Sequence, residues 1–213
     1  MRIWVAGGTS GIGKAIADKL QTYEHHSVHV TGEKVDVRKP VTINTMDALI
    51  YSVGVNYLDT VENVNTDRML DLYDVNVVGL IRCIQASPLL RRVVVIGSDA
   101  GWRPMRTSVA YCASKAALHM AVKVIAREKA ADDFAINVIA PGMTQYTKMQ
   151  EYVDQRVMEI RGWTEDEMLE YEQSYTPMKR RLNPDEVAEV ACQVLFTETS
   201  YMTGSIIPVN GAR

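Results

Sequence analysis

Tyr111-Cys112-Ala113-Ser114-Lys115 sets a phenol and an ammonium four residues apart, which on a helix is one face. An ammonium about 4 Å from a phenol, at an effective dielectric near 20, favours the phenolate by roughly 4 kcal/mol. At about 1.4 kcal/mol per pH unit, that draws a tyrosine pKa from ~10 toward ~7 before desolvation opposes it. Such a phenol protonates an alkoxide or deprotonates an alcohol during hydride transfer. Ser98 stands thirteen residues upstream, directly after the apolar run Arg92 to Ile96, and offers a hydroxyl to the same substrate oxygen. Tyr175 and Lys179 repeat the spacing, but Pro177 lies between them and position 162, thirteen residues upstream, is glycine. Only the Tyr111 pair keeps its third group.

Four of the 13 glycines fall in Gly7-Gly8-Thr9-Ser10-Gly11-Ile12-Gly13, after one apolar run and before a helical stretch. There the backbone approaches a pyrophosphate closely, and the helix N-terminus presents N–H groups and a partial positive charge. Glu33 lies twenty residues after Gly13. An acid there accepts from a ribose 2′-OH and repels a 2′-phosphate, so of NAD(H) and NADP(H) the reading leans to NAD(H), with Lys34 pulling the other way.

The elements that must carry these groups are short β-branched runs alternating with longer helical stretches, the pattern of a parallel α/β sheet. Ile3 to Ala6, Ser27 to Thr31, Ala48 to Ser52, Arg92 to Ile96, Ala135 to Ile139 and Ile206 to Val209 read as strands. Gly11 to Thr22, Thr66 to Ala86, Ser108 to Ala131 and Pro184 to Thr197 read as helices. Asn183 before Pro184, with Glu186 following, reads as the cap of the last. The expected fold is a Rossmann-like, doubly wound parallel sheet in a single domain over 1–213, with a shortened second βαβ crossover. Between Thr31 and Asp47 there is no room for a full crossover helix. Met143 to Asn183 is long, follows what reads as the sixth strand, and carries short helices at Lys148 to Ile160 and Thr164 to Ser174. A substrate-lid insert at about 143–183 is the expectation.

The 213 residues are 47% hydrophobic and 23% charged, enough to bury a core. Lys plus Arg is 23 and Asp plus Glu 26, a net charge of −3 without the footprint of nucleic-acid or anionic-membrane binding. Cys83, Cys112 and Cys192 are odd in number and far apart, as reduced thiols are. No stretch reads as a signal peptide or as the roughly 18 apolar residues of a membrane span, so a soluble, cytoplasmic protein is expected. His25, His26, His29 and His119 form no ligand set, and no metal is implied.

Together these residues strongly resemble the short-chain dehydrogenase/reductase family over essentially the whole chain. Ala6-Gly7-Gly8-Thr9-Ser10-Gly11-Ile12-Gly13 matches its cofactor motif, with Ala6 where Thr is usual. The resemblance implies cofactor contacts at Gly7, Thr9, Ser10, Gly11, Ile12, Gly13, Glu33, Asp36, Val37, Gly54, Pro141, Gly142 and Thr144, and at Tyr111 and Lys115. Thr147 is a further candidate. Asp36-Val37 looks like the family's adenine-contacting pair, and Pro141-Gly142 like its Pro-Gly beside the nicotinamide. Asn76 falls where the family has a catalytic Asn extending a water relay from the Lys, so Asn76, Ser98, Tyr111 and Lys115 are the expected tetrad.

Three departures stand out. Tyr51-Ser52-Val53-Gly54 replaces the family's Asn-Asn-Ala-Gly, Gly32 and Glu33 replace its cofactor-selecting Asp or Arg, and the second crossover helix is missing. The implied activity is interconversion of a carbonyl and a secondary alcohol on a small molecule. Two rivals are a catalytically silent NAD(P)-binding regulator, disfavoured by the intact tetrad, and a nucleotide-sugar epimerase, disfavoured by the short C-terminal part. The loop Asp99 to Thr107 and the insert should border the substrate. There Trp102, Met105, Met143, Tyr146 and Met149 offer apolar contacts, while Arg103 and Arg106 read as solvated charges ahead of anion anchors. The helix Thr66 to Ala86 is apolar nearly all round, and the family pairs its two long helices between subunits, so a homodimer or homotetramer is expected.

Overall fold

A computed structural model describes residues 1–213. The strands are β1 (Arg2–Ala6), β2 (Ser27–Thr31), β3 (Ala48–Tyr51), β4 (Arg92–Ile96), β5 (Ala135–Pro141) and β6 (Ile206–Val209). All pair in parallel, in the order β2-β1-β3-β4-β5-β6. The helices are α1 (Gly11–Gln21), α2 (Thr66–Tyr73), α3 (Gly79–Ala86), α4 (Val109–Glu128), α5 (Lys148–Arg161), α6 (Glu165–Tyr175) and α7 (Pro184–Leu195).

Continuous apolar strands require cover on both faces, and both receive it. Ile3, Val5, Ile50, Val94, Ile96 and Ile139 pack with Ile16 and Leu20 of α1 and Val187, Ala191 and Leu195 of α7. Trp4, Leu49, Tyr51, Val93, Val95 and Val138 pack on the other face with Leu80 and Cys83 of α3 and Leu118 and Val122 of α4. This is a doubly wound α/β fold. The strand order reverses between β1 and β3, and the crevice beyond their C-terminal ends is where such sheets bind ligands.

Residues 32–47 form no helix. Val37 and Met46 are buried, and with Val41 and Ile43 they cover the part of the core that a crossover helix would cover. Because this segment contributes no strand either, the strand before the insert is the fifth in the chain, not the sixth.

Two other expectations need correction. The helix Thr66 to Ala86 is divided by a π-helical turn at Asp74–Val78. And one segment does pass for a membrane span by length and composition alone: within the 20-residue α4, an 18-residue window reaches a mean hydropathy of 1.3. Its apolar face is accounted for by packing of Leu118, Val122 and Ala126 on the sheet. The cap of α7 is as expected, with Asn183 accepting from the Asp185 amide at 3.1 Å and Glu186 accepting from the Asn183 amide at 2.9 Å. All three cysteines are free thiols.

Candidate active site

The turn from β1 into α1 forms the first wall of the crevice. Gly7 has φ +79° and Gly11 φ +51°, conformations that only glycine adopts without strain. A side chain on Gly7 would also stand 2.7 Å from the Ser52 carbonyl oxygen, and one on Gly13 would overlap the Gly7 carbonyl. The glycines therefore bring the N-terminus of α1 against the end of β3. Ser10 caps α1 without a side-chain hydrogen bond, and the first turn carries no acid. Its amides and dipole are left free for an anion. Thr147 stands beside Gly11, the position of a Gly11 Cβ being 3.3 Å from Thr147 Cγ2, and its hydroxyl accepts from the Gln150 amide to cap α5. Thr144, buried, donates to the Gly142 carbonyl at 3.1 Å. Pro141 ends β5, with Gly142 next to it. This cradle fits a dinucleotide pyrophosphate.

The adenosine end departs from the expectation. Val37 spends its side chain in the core, 3% exposed, and its carbonyl accepts from Arg82 at 3.1 Å. Asp36 is held by Arg38 at 2.9 and 3.1 Å, and that pairing lowers its pKa. Glu33 and Lys34 are both exposed beyond β2. Gly32 leaves room for the Thr9 side chain, which would overlap any Cβ there. Only backbone and a hydroxyl stand at the end of β2, so no fixed carboxylate repels a 2′-phosphate.

The chemistry-bearing groups converge from three elements. Tyr111 and Lys115 share the buried face of α4, with Lys115 Nζ 5.6 Å from the centre of the Tyr111 ring. Ser98 follows β4, accepts from the Ala100 amide at 3.2 Å, and stands near enough to Tyr111 to lower its pKa. Asn76, fully buried in the π turn, accepts from the Val55 amide at 2.9 Å and donates to the Val55 carbonyl and Ser114 Oγ, each at 3.0 Å. π turns inside helices are frequent at functional sites. Gly54 sits between them, a Cβ there falling 3.5 Å from Asn76 Oδ1 and 3.6 Å from Lys115 Nζ. The structure thus brings together all four expected tetrad residues. In the segment that departs from the family's Asn-Asn, the Tyr51 hydroxyl donates to the Val75 carbonyl at 2.6 Å.

Desolvation, and not the charge pairing that the sequence suggests, sets the ionisation of the pair. Burial pushes the Tyr111 phenol up to about 12, against a hydrogen bond to Ser98 that lowers it and the nearby Asp99 carboxylate that raises it further. Burial draws the Lys115 ammonium down to about 8. The Lys115 ammonium donates to the Ile96 carbonyl at 3.2 Å.

Sequence reasoning missed several neighbours. His119, one turn beyond Lys115, is buried between Gly97 and Gly101, with Trp102 5.6 Å away ring to ring. Asp99 faces Arg213, and Arg213 and Arg103 both lie against Tyr175 of α6. These contacts link positions too distant in sequence for periodicity to reveal. A cavity of about 480 Å³ is lined by Met143, Met158, Met168, Glu172 and Arg181 within the insert, and none of the tetrad borders it.

A doubly wound sheet with a glycine cradle at its switch point and a Ser-Tyr-Lys group beyond β4 defines a dinucleotide-dependent oxidoreductase. The family described as enoyl-(acyl carrier protein) reductase matches residues 36–211, and the chain belongs to the short-chain dehydrogenase/reductase family of NAD(P)-dependent enzymes. It is 31% identical over 177 residues to the rhamnolipids biosynthesis 3-oxoacyl-(acyl-carrier-protein) reductase of Pseudomonas aeruginosa, covering 78% of this chain and 65% of that one. The chain therefore spans just under two thirds of that relative. It is 27% identical to the 3-oxoacyl-(acyl-carrier-protein) reductase MabA of Mycobacterium tuberculosis, covering 98% of this chain and 91% of MabA. A solved small-chain dehydrogenase in complex with NADPH superposes with a TM-score of 0.84 at 25% identity, covering 100% of this chain and 97% of that one. The lean to NAD(H) finds no support in these comparisons.

Proposed function

We propose that this protein reduces a carbonyl on a small-molecule substrate to a secondary alcohol, and runs the reverse oxidation, with Tyr111 as acid and base. The observation that carries the reading is the convergence of Tyr111, Ser98, Lys115 and Asn76 beyond the C-terminal ends of the strands. Bound NAD(P)H supplies the hydride. Gly7, Thr9, Ser10, Gly11, Ile12 and Gly13 would hold its pyrophosphate side, and Pro141, Gly142, Thr144 and Thr147 the side nearer the tetrad. The end of β2, with no fixed carboxylate, admits NADP(H) as well as NAD(H).

A phenol pushed up to about 12 is protonated at neutral pH, which suits it to donate to the carbonyl oxygen as that oxygen gains charge. The Ser98 hydroxyl holds the same oxygen. The Lys115 ammonium stabilises the phenolate that remains, and Asn76, across Gly54 from Lys115, holds the path by which the proton is replaced. Tyr111→Phe tests this. Binding of NADPH should persist, while turnover in a carbonyl panel followed at 340 nm should fall by about 10²–10⁴-fold. Unchanged turnover overturns the assignment.

The protein also acts as a homo-oligomer in this reading. Most of the apolar girth of α2 and α3 is used within the chain, but Leu70 is 67% exposed and Tyr73 41%. Val109, Met120 and Val124 extend the outward apolar surface along α4, and a second copy would cover it. The insert at about 143–183 serves as the substrate lid.

A further inference from the structure

Arg103, Asp99, Tyr175 and Arg213 form a cluster at the seam between the catalytic loop and the insert. Asp99 follows Ser98 directly. Its side chain is 4% exposed and faces Arg213 Nη1 at 3.8 Å, with the Arg213 side chain 3% exposed. That separation is too long for a hydrogen bond, and both Asp99 Oδ2 and Arg213 Nε are buried without a partner. The Tyr175 ring has the Arg213 guanidinium carbon 4.5 Å from its centre and that of Arg103 at 5.3 Å. Both cations hold the Tyr175 phenol below its ordinary pKa, Arg103 beside the hydroxyl more strongly than Arg213.

Among the side chains of the cluster, one carboxylate faces two guanidinium groups. Asp99 compensates Arg213, while Arg103 is half-buried and has no carboxylate within ion-pair distance. A partly desolvated guanidinium without a counter-ion is costly unless a ligand brings one. Its backbone fixes its place: the Arg103 amide donates to the Asp99 carbonyl at 3.0 Å, and the Arg103 carbonyl accepts from the thiol of Cys112, the neighbour of Tyr111, at 3.8 Å. Arg106, exposed and further along the loop, has none of this framing.

We propose that Arg103, with the Tyr175 hydroxyl beside it, is a subsite for a carboxylate or similar oxyanion carried by the carbonyl substrate. Asp99 and Arg213 are its positioning pair, tying the catalytic loop to Tyr175 of the insert and leaving Arg103 as the uncompensated cation. The inference rests on the carbonyl-reductase reading and names its substrate class.

Acetoacetate and ethyl acetoacetate share the ketone and differ in charge. The ratio of their kcat/KM values should fall by about tenfold or more in Arg103→Gln and be largely kept in Arg103→Lys. An unchanged ratio in Arg103→Gln, or an equal loss in both variants, overturns the subsite. Calorimetry of acetoacetate into protein saturated with NADP⁺ reads the subsite without turnover. Binding by wild type that is lost in Arg103→Gln supports it even where no ketone is reduced, a result that would sink only the redox reading. Equal binding by the two, or none by wild type, overturns the subsite.

Discussion

Lys115 should be a destabilising residue that the fold carries for its chemistry. Its side chain is buried at 3% exposure, with the Ile96 carbonyl as its hydrogen-bond acceptor. At about 1.4 kcal/mol per pH unit, the drop from 10.5 to about 8 makes the buried ammonium unfavourable by roughly 3 kcal/mol at neutral pH. Lys115→Met keeps most of the apolar stem and removes the charge. It leaves the Ile96 carbonyl unpaired, which costs about 1 kcal/mol. The net gain is about 2 kcal/mol, a rise in Tm of about 4–8 °C for a chain of this size, with turnover lost. The pH dependence carries the sign. Below about 8 the lysine is charged in both folded and unfolded chains, and the penalty is constant. From about 8 to 10.5 the unfolded chain holds more protons, so wild-type stability rises with pH and the gap to the variant closes. Thermal unfolding of both proteins at neutral pH and at several values up to 10.5 measures this. A variant less stable than wild type at neutral pH, or a gap that ignores pH, refutes the reasoning.

Asn76→Leu removes three hydrogen bonds, to the Val55 amide, the Val55 carbonyl and Ser114 Oγ. At about 1 kcal/mol each, urea unfolding should show a loss of about 3 kcal/mol, together with loss of turnover; a loss below about 1 kcal/mol would show that Asn76 does not hold the 54–56 segment. Light scattering at micromolar concentration should give a dimer or larger, and Leu70→Glu with Val124→Glu should shift it toward monomer. A monomeric wild type removes the oligomer proposal.

The sheet was legible because its strands are continuous apolar runs between turn residues: Arg92–Ile96 and Ile206–Val209 fall where the sequence puts them. The tetrad was legible through local spacing and the glycine cradle through composition. The π turn was not, since it is held from outside the helix, by the Tyr51 hydroxyl on the Val75 carbonyl and by Asn76 on Val55. Nor was the ionisation of Tyr111, because spacing sets the distance to a charge but says nothing of how much water the fold removes. Val37 shows the same limit: its place in a motif suggested a ligand contact, and the missing crossover helix made it a core residue. Tyr175, set aside as a decoy for the catalytic tyrosine, returns beside the active site through its contact with Arg103.

The π turn also makes a statement about counting. An α-helix spends about 3.6 residues per turn, and a turn that takes one residue more sets every later side chain back by about 100° around the axis. Before the turn, Leu72 packs with Tyr57 and Ala110; after it, Leu80 and Cys83 pack on the sheet. The two ends of this stretch are out of phase with a single regular helix, and the extra residue reconciles them. What the fold must keep between Leu72 and Leu80 is therefore an angle, which the residue count and the wide turn set together. Closing the π turn to regular α-helix with every residue kept would rotate Leu80 and Cys83 by about 100° off the sheet. Deleting one residue of Asp74–Val78 would instead let a regular helix hold them in place, and would cost the local geometry that seats Asn76.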